Sequence, residues 1–222
     1  MKQLFMQAMV KFFSGAAIMG LLIFVPAGTL GYWQGWLLMG ILFIPMFIAG
    51  LILMKKNPEL LKKRLNAKEE EKEQKQVVLF SAFMFLAVFI LAGLNFRFGW
   101  FVLSDGAVWT GAAVFLISYA LYAEVLRENA YLSRTIEVQK EQEVIDTGLY
   151  GVVRHPMYAA TLFMFLSMGV VLASPLSFLV TLLYLPIINK RMANEEEVLK
   201  QGLAGYAEYM EKVRYRVIPF LW

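Results

Sequence analysis

The chain has 222 residues, 59% apolar and only 17% charged, with a mean hydropathy of +0.60, whereas soluble domains run near 45–50% apolar and about 25% charged; a disordered chain, a disulfide scaffold and an ordinary cytosolic enzyme are excluded. With no cysteine and one histidine, thiolate zinc sites, cysteine nucleophiles and multi-histidine metal centres are excluded too, and no metal is expected. The net charge of +4 does not call for nucleic acid in a membrane protein, where it reflects basic residues retained on one side of the bilayer.

A helix needs about 20 apolar residues to cross a bilayer. The first such run covers residues 12–30 and the second 35–54. Because a second long run follows at once and no small-residue cleavage pattern precedes it, the first reads as a span and not as a signal peptide. The connector holds Gly31, Tyr32, Trp33 and Trp36, read as a tight turn at an interfacial aromatic belt. Gly28, Gly31 and Gly35 are taken as turn residues in preference to helix-packing ones. Loop 55–76 carries eight basic and five acidic residues, and its stretch 62–76 has the composition of an amphipathic surface helix. Runs three and four cover 77–96 and 107–123, and a polar segment follows at 124–154. Two shorter runs, 157–173 and 176–189, flank Ser174-Pro175, where a helix can break. They are expected to form a helical hairpin whose second arm continues beyond the apolar zone, over 190–210.

Basic residues orient these spans. The N-terminus, loop 55–76, segment 124–154 and the tail from 190 hold 20 of the 21 lysines and arginines, and the opposite side keeps Arg97 alone. The positive-inside rule places the 20-residue side, with both termini, in the cytoplasm; in a bacterium this would be the inner membrane. The expected fold class is all-α: a polytopic integral membrane helical bundle of four N-terminal spans, a C-terminal helical hairpin and a cytoplasmic C-terminal helix. Two regions are expected: 1–128, the N-terminal transmembrane helices with cytoplasmic loop 55–76, and 129–222, the region that carries the chemistry. Membrane lipids are the expected surroundings.

The informative stretch opens Gly148-Leu149-Tyr150-Gly151-Val152-Val153-Arg154-His155-Pro156-Met157-Tyr158. An arginine and the only histidine stand at the mouth of an apolar helix, with Pro156 suited to its first turn. A helix start offers N–H groups and a positive dipole end to an anion. The last apolar run ends in Asn189-Lys190-Arg191-Met192-Ala193-Asn194-Glu195-Glu196-Glu197. Arg191 and Glu195 are i and i+4 and share a helix face, from which Glu196 and Glu197 rotate away. The hairpin is expected to bring this face back beside Arg154 and Tyr158, gathering two arginines, a histidine, a tyrosine and a carboxylate at the cytoplasmic interface.

Together, Arg154–Tyr158 (Arg-His-Pro-x-Tyr), Arg191 with Glu195-Glu196 and Leu199, Tyr206 with Tyr209, and Pro219 resemble the isoprenylcysteine carboxyl methyltransferase family, over residues 138–222. The wider group of membrane methyltransferases, phospholipid N-methyltransferases included, shares much of the pattern. The resemblance implies S-adenosylmethionine bound without a Rossmann domain, and no strand followed by Gly-x-Gly-x-x-Gly occurs here. It places the cofactor against Tyr150, His155, Pro156, Met157, Tyr158 and Glu195, with Gln139, Val144 and Ile145 as further contacts upstream. Arg191 matches the arginine assigned to the acceptor carboxylate and is the expected catalytic residue, with Arg154 beside it on the substrate side. Glu195 suits the ammonium of the cofactor, and His155 or helix N–H groups suit its carboxylate. The expected activity is methyl transfer to a lipidic or prenylated acceptor, most simply a carboxylate. The sequence departs from the family before Tyr206, where Leu203-Ala204-Gly205 replaces a longer Phe-Gly segment. A phospholipid or amine N-methyltransferase, and a lipid-binding membrane protein without activity, are the competing readings; a membrane reductase fits the Arg-x-x-x-Glu-Glu element poorly.

Overall fold

A computed structural model describes residues 2–65, 72–132, 136 and 138–222. Among them the structure is helical, with nine α-helices: α1 Lys2–Ala27, α2 Trp33–Lys56, α3 Pro58–Leu65, α4 Lys72–Phe98, α5 Asp105–Glu128, α6 Pro156–Val171, α7 Pro175–Thr181, α8 Tyr184–Gly202 and α9 Tyr206–Lys212. Five stretches are long and apolar enough to cross a membrane: α1, α2, Lys75–Phe98 of α4, α5, and Pro175–Gly202, which joins α7 to α8. The chain is a polytopic helical bundle.

Helices extend beyond the apolar runs because polar residues at their ends keep helical conformation outside the hydrocarbon. Thus α1 begins at Lys2, ten residues before its apolar run, and α5 covers Asp105–Glu128, opened by Ser104, whose hydroxyl accepts from the Ala107 N–H. Basic residues end α2, with Lys55 and Lys56 in its last turn, where they oppose the dipole. The short α3 is amphipathic, with Leu60 and Leu61 buried under Lys62, Lys63 and Arg64. It stops at Leu65, so most of the surface helix expected over 62–76 lies outside the described residues or belongs to α4.

The bundle is built on α5 against α6, α1 against α4, and α4 against α7. Glycines permit the closest approaches. A Cβ on Gly93 would meet the Ile23 carbonyl and the Ala27 nitrogen of α1, and one on Gly111 would meet Val170 of α6. Gly28, at φ +70°, is the turn residue expected. Gly35 is not: its Cβ would lie 2.9 Å from Ile23 and 3.2 Å from Phe24, so it is a packing position between α1 and α2. Large apolar side chains such as Phe13, Val25 and Ile44 stay exposed, as expected of lipid-facing surface.

One end of the bundle gathers the α1–α2 turn, the end of α4 and the α6–α7 turn. The Tyr32 hydroxyl donates to the Leu172 carbonyl (2.5 Å), and the Asn95 amide donates to the carbonyls of Phe101 (2.8 Å) and Ala173 (3.2 Å). The hairpin forms at Ser174-Pro175. Ala173 turns to φ +50°, the Ser174 hydroxyl accepts from the Ser177 N–H, and Gly169 lies so close to Phe178 that a Cβ would run into its backbone. Ser177 donates to the Val88 carbonyl of α4 (2.8 Å) and Thr181 to the Ser177 carbonyl (2.7 Å), so hydroxyls at this depth are satisfied, as a site without water requires. The second arm is not one unbroken helix. It turns at Leu182 and Leu183, resumes as α8, and ends at Gly202; Gly205, at φ +82°, then opens α9 as a separate helix. The opposite end of the bundle holds α3, the described residues of 129–155 and the tail after α8.

Candidate active site

At that polar end the segment after α5 folds back on the bundle. Asn129 caps α5 and donates from its side chain to the Tyr150 hydroxyl (3.0 Å). Glu128 accepts from the Leu149 N–H (3.0 Å), which holds the 3-10 turn Gly148–Gly151 beneath α5. His155 then occupies the N-cap of α6 and Pro156 its first turn. The α6–α7 hairpin returns α8 alongside, so residues 191–196 face 154–158.

Three side chains form a chain of hydrogen bonds. Arg191 Nε donates to the Tyr158 hydroxyl (2.9 Å), and that hydroxyl donates to Glu195 Oε2 (2.7 Å). Tyr158 is buried, while Arg191 and Glu195 are half-buried. The spacing of Arg191 and Glu195 puts both on one face of α8, and Tyr158 arrives from α6 to bridge them.

A second group lies behind the first. Glu196 is 2% exposed and binds three cationic or potentially cationic groups: Arg154 Nε and His155 Nε2 at Oε1 (2.9 and 3.1 Å), and Arg216 at Oε2 (2.6 Å). Arg154 also donates to the carbonyls of Val213 and Arg214 (2.8 Å each). The backbone N–H groups of Arg154 and His155 donate to the carbonyls of Tyr215 and Arg216 (2.9 and 2.8 Å). The tail thus lies beside 154–155 and is fastened by Glu196. Glu196 does rotate away from the Arg191–Glu195 face, and the direction it takes is inward, toward Arg154 and the tail.

These groups border a cleft that opens to solvent. Val144, Ile145, Tyr150, Arg154, His155, Met157, Tyr158, Arg191 and Glu195 all line it. Leu199, Leu203, Tyr206 and Tyr209 complete its apolar and aromatic wall. Burial raises the Tyr150, Tyr206 and Tyr209 hydroxyls well above their ordinary range, and the Glu195 carboxylate adds to the shift at Tyr150 and Tyr206; all three are neutral in any physiological buffer. Tyr209 donates to the Tyr150 carbonyl (2.7 Å), pinning α9 against the 3-10 turn.

Two expected contacts lie elsewhere. Gln139 does not line the cleft. Its side chain accepts from Lys63 of α3 and donates to the Tyr131 carbonyl (both 2.5 Å), so it ties the segment to the bundle. Pro156 serves the helix start and is not among the lining residues. Arg154 touches the cleft, but its bonds to Glu196 and the tail commit the guanidinium to structure. The start of α6 is also a poorer anion cradle than its sequence suggests: Pro156 has no N–H, and those of Tyr158 and Ala159 donate to the His155 carbonyl. Sequence reasoning missed Glu196 and Arg216. The one available signal for Glu196 was its place in the Glu195-Glu196 pair; nothing marked Arg216.

The set is suited to a ligand that joins an aromatic ring to charged groups. Tyrosines and aliphatics provide a slot for a base, Glu195 provides a counter-charge for an ammonium, and Arg191 provides donors for an anion. Residues 106–204 match the family model of the phospholipid methyltransferases. That interval runs from α5 to just past α8 and takes in Arg154–Tyr158, Arg191, Glu195 and Glu196, but neither Tyr206 and Tyr209 nor the tail. No curated protein matches the chain. The match supports a membrane methyltransferase, with S-adenosylmethionine as the donor that this chemistry implies.

Proposed function

We propose that this chain is an integral membrane methyltransferase that uses S-adenosylmethionine to methylate a lipidic acceptor at the polar end of the bundle. The observation that carries the reading is the Arg191–Tyr158–Glu195 chain of bonds, set in a cleft walled by tyrosines within the region similar to phospholipid methyltransferases. The residues fit the cofactor by their chemistry: Glu195 for the ammonium, and Tyr150, Tyr206 and the aliphatic wall for the adenine. When bound, the cofactor supplies an electrophilic methyl on a sulfonium. The protein supplies alignment, since an in-line displacement gains most from placing the reactants. Arg191, held at Nε by Tyr158, orients an anionic acceptor with the outer edge of its guanidinium.

Two acceptors suit this arrangement. A lipid carboxylate is already a nucleophile at neutral pH, needs no base, and would pair with Arg191. A phospholipid amine is favoured by the family match. It must first lose a proton, for which Glu195, which lines the cleft together with Glu143, is the carboxylate beside Arg191, and Arg191 would then hold the phosphate. We take both termini and the cleft to face the cytoplasm, on the strength of the 20 basic residues that the order of the spans assigns to one side.

The test is incubation of the detergent-solubilised protein with methyl-labelled S-adenosylmethionine and lipid extract, followed by mass spectrometry. Label lost as methanol in mild alkali is a methyl ester; label retained in the headgroup is an N-methyl product. A protein that binds the cofactor but labels no lipid would remove the lipidic acceptor, and one that does not bind the cofactor would leave a lipid-binding protein of the same fold.

A further inference from the structure

We infer that Glu196, held in place by Arg216 of the tail, is a positioning residue that fixes His155 as its Nε2–H tautomer, so that Nδ1 meets the cleft as a hydrogen-bond acceptor. This rests on the methyltransferase reading only for the identity of the ligand.

The geometry is a matter of donor and acceptor counts. Glu196 Oε1 lies 2.9 Å from Arg154 Nε and 3.1 Å from His155 Nε2, and Oε2 lies 2.6 Å from Arg216. A carboxylate between two guanidinium groups accepts only, so Nε2 must carry the hydrogen of the third bond. In the neutral ring the other nitrogen then has a lone pair and no proton. His155 lines the cleft and Nε2 is turned to Glu196, which leaves Nδ1 for a ligand. Nδ1 is not among the described side-chain nitrogens that are both buried and unpartnered.

Glu196 is itself constrained from both oxygens. Arg154 is anchored by the carbonyls of Val213 and Arg214, and Arg216 belongs to the residue whose carbonyl accepts the His155 N–H at 2.8 Å. The tail therefore holds the backbone of His155 directly and its ring through Glu196. An amide in place of the carboxylate cannot serve: whichever way it turns, its NH₂ faces one arginine, and the acceptor is lost either to Arg216 or to the Arg154–His155 side.

The consequence concerns the ligand. With Nε2–H committed to Glu196, Nδ1 in this tautomer is an acceptor and does not suit the cofactor's carboxylate, which the sequence position suggested for His155. It takes a donor instead: the ammonium or a ribose hydroxyl. Glu195 and His155 then recognise the same, electropositive part of the cofactor or adjacent hydroxyls, and the cofactor carboxylate lies elsewhere in the cleft.

Because the chain has one histidine, ¹⁵N-histidine labelling gives a single imidazole to observe in detergent micelles at pH 8. Long-range ¹H–¹⁵N correlation is expected to show Nε2 protonated and Nδ1 not, with no cofactor present. The Nδ1–H tautomer in the unaltered protein would overturn the inference. Glu196→Gln should weaken the preference, since only one of its two amide orientations keeps an acceptor for Nε2, and should weaken S-adenosylhomocysteine binding several-fold, while Glu197→Gln, on the exposed side of α8, changes neither. Should Glu196→Gln not fold, Arg216→Gln removes only the half-exposed partner; it should broaden the tautomer distribution and raise KM for the cofactor several-fold with kcat within about twofold, and Arg216→Lys should restore both. A changed tautomer with unchanged cofactor affinity would refute the role of Nδ1. Failure of the unaltered protein to bind cofactor would instead refute the methyltransferase reading, and leave the tautomer measurement standing.

Discussion

Removing a single oxygen tests the link between the two sides of the cleft. Tyr158→Phe deletes the hydroxyl that accepts from Arg191 (2.9 Å) and donates to Glu195 (2.7 Å). Both bonds involve a charged partner, a class worth about 1.5–3 kcal/mol each when fully buried. Arg191 and Glu195 are only half-buried, so water in the cleft replaces part of what is lost, and the stability cost should be about 1–2 kcal/mol. Turnover should suffer more. Without Tyr158 the guanidinium loses its bond at Nε, and a misplacement of about 1 Å can cost on the order of 100-fold in rate; we expect kcat to fall about 10- to 100-fold. Cofactor affinity should change by less than about threefold, because Glu195 loses a donor and keeps its charge. Turnover is measured with methyl-labelled cofactor, and affinity by calorimetry with S-adenosylhomocysteine. A double-mutant cycle with Arg191→Lys, which keeps the charge and loses the planar fork, adds a second reading. If Tyr158 acts through Arg191, the double variant should be scarcely worse than Arg191→Lys alone. Wild-type turnover in Tyr158→Phe, or strict additivity in the cycle, would refute the role given to this chain of bonds.

Three further outcomes follow from the same geometry. Glu196→Ala leaves Arg154 buried without its counter-ion and should cost about 3–5 kcal/mol, a fall of about 6–20 °C in the detergent melting temperature, against little change for Glu197→Ala. Gly169→Ala forces a methyl into the backbone of Phe178 and should cost about 1–3 kcal/mol, whereas Gly15→Ala, whose Cβ would meet nothing within 4 Å, should be neutral or stabilising on the same melting assay. The rate against pH separates the acceptors: a carboxylate is ionised above about pH 5 and gives a flat profile near neutrality, while an amine requires the rate to climb through about pH 8–10; the opposite profile would remove the acceptor in question.

The parts of this fold visible in the sequence are those fixed by local physics. Apolar length marks the spans, Ser174-Pro175 marks the hairpin, and Pro156 marks the first turn of α6. Helix ends were less visible, because Lys2 and Lys11 of α1 or Arg127 of α5 are as compatible with helix as with loop once outside the hydrocarbon. The break at Leu182 and Leu183 falls within an apolar run, and the residue that announces it is Pro186: it has no N–H for the Leu182 carbonyl and its ring crowds that carbonyl. In the cleft, helical spacing was enough to pair Arg191 with Glu195. The place of Gln139 away from the cleft was not legible, because its partners, Lys63 and Tyr131, depend on where α3 settles against a loop more than 70 residues away in sequence.

Glu196 illustrates the limit best. Helical geometry correctly turned it from the Arg191 face, and a charged side chain turned from a site is ordinarily a solvated one. What buries it is the tail, which returns after α9 and lays its carbonyls against Arg154 and His155. No local pattern in that tail predicts the return; it is specified by the pairing itself, since Arg154 and Glu196 each have bonds that only the tail completes. Two adjacent glutamates on one helix therefore serve opposite sides of the same histidine-bearing wall: Glu195 faces the cleft, and Glu196 holds the wall from behind. Because Arg154 and Glu196 are buried and paired, removing either leaves the other without its main counter-charge, and the tail, which bonds both, cannot detach without disturbing His155. The wall of the cleft depends in this sense on the chain as far as Arg216, well past the interval that matches the phospholipid methyltransferase model.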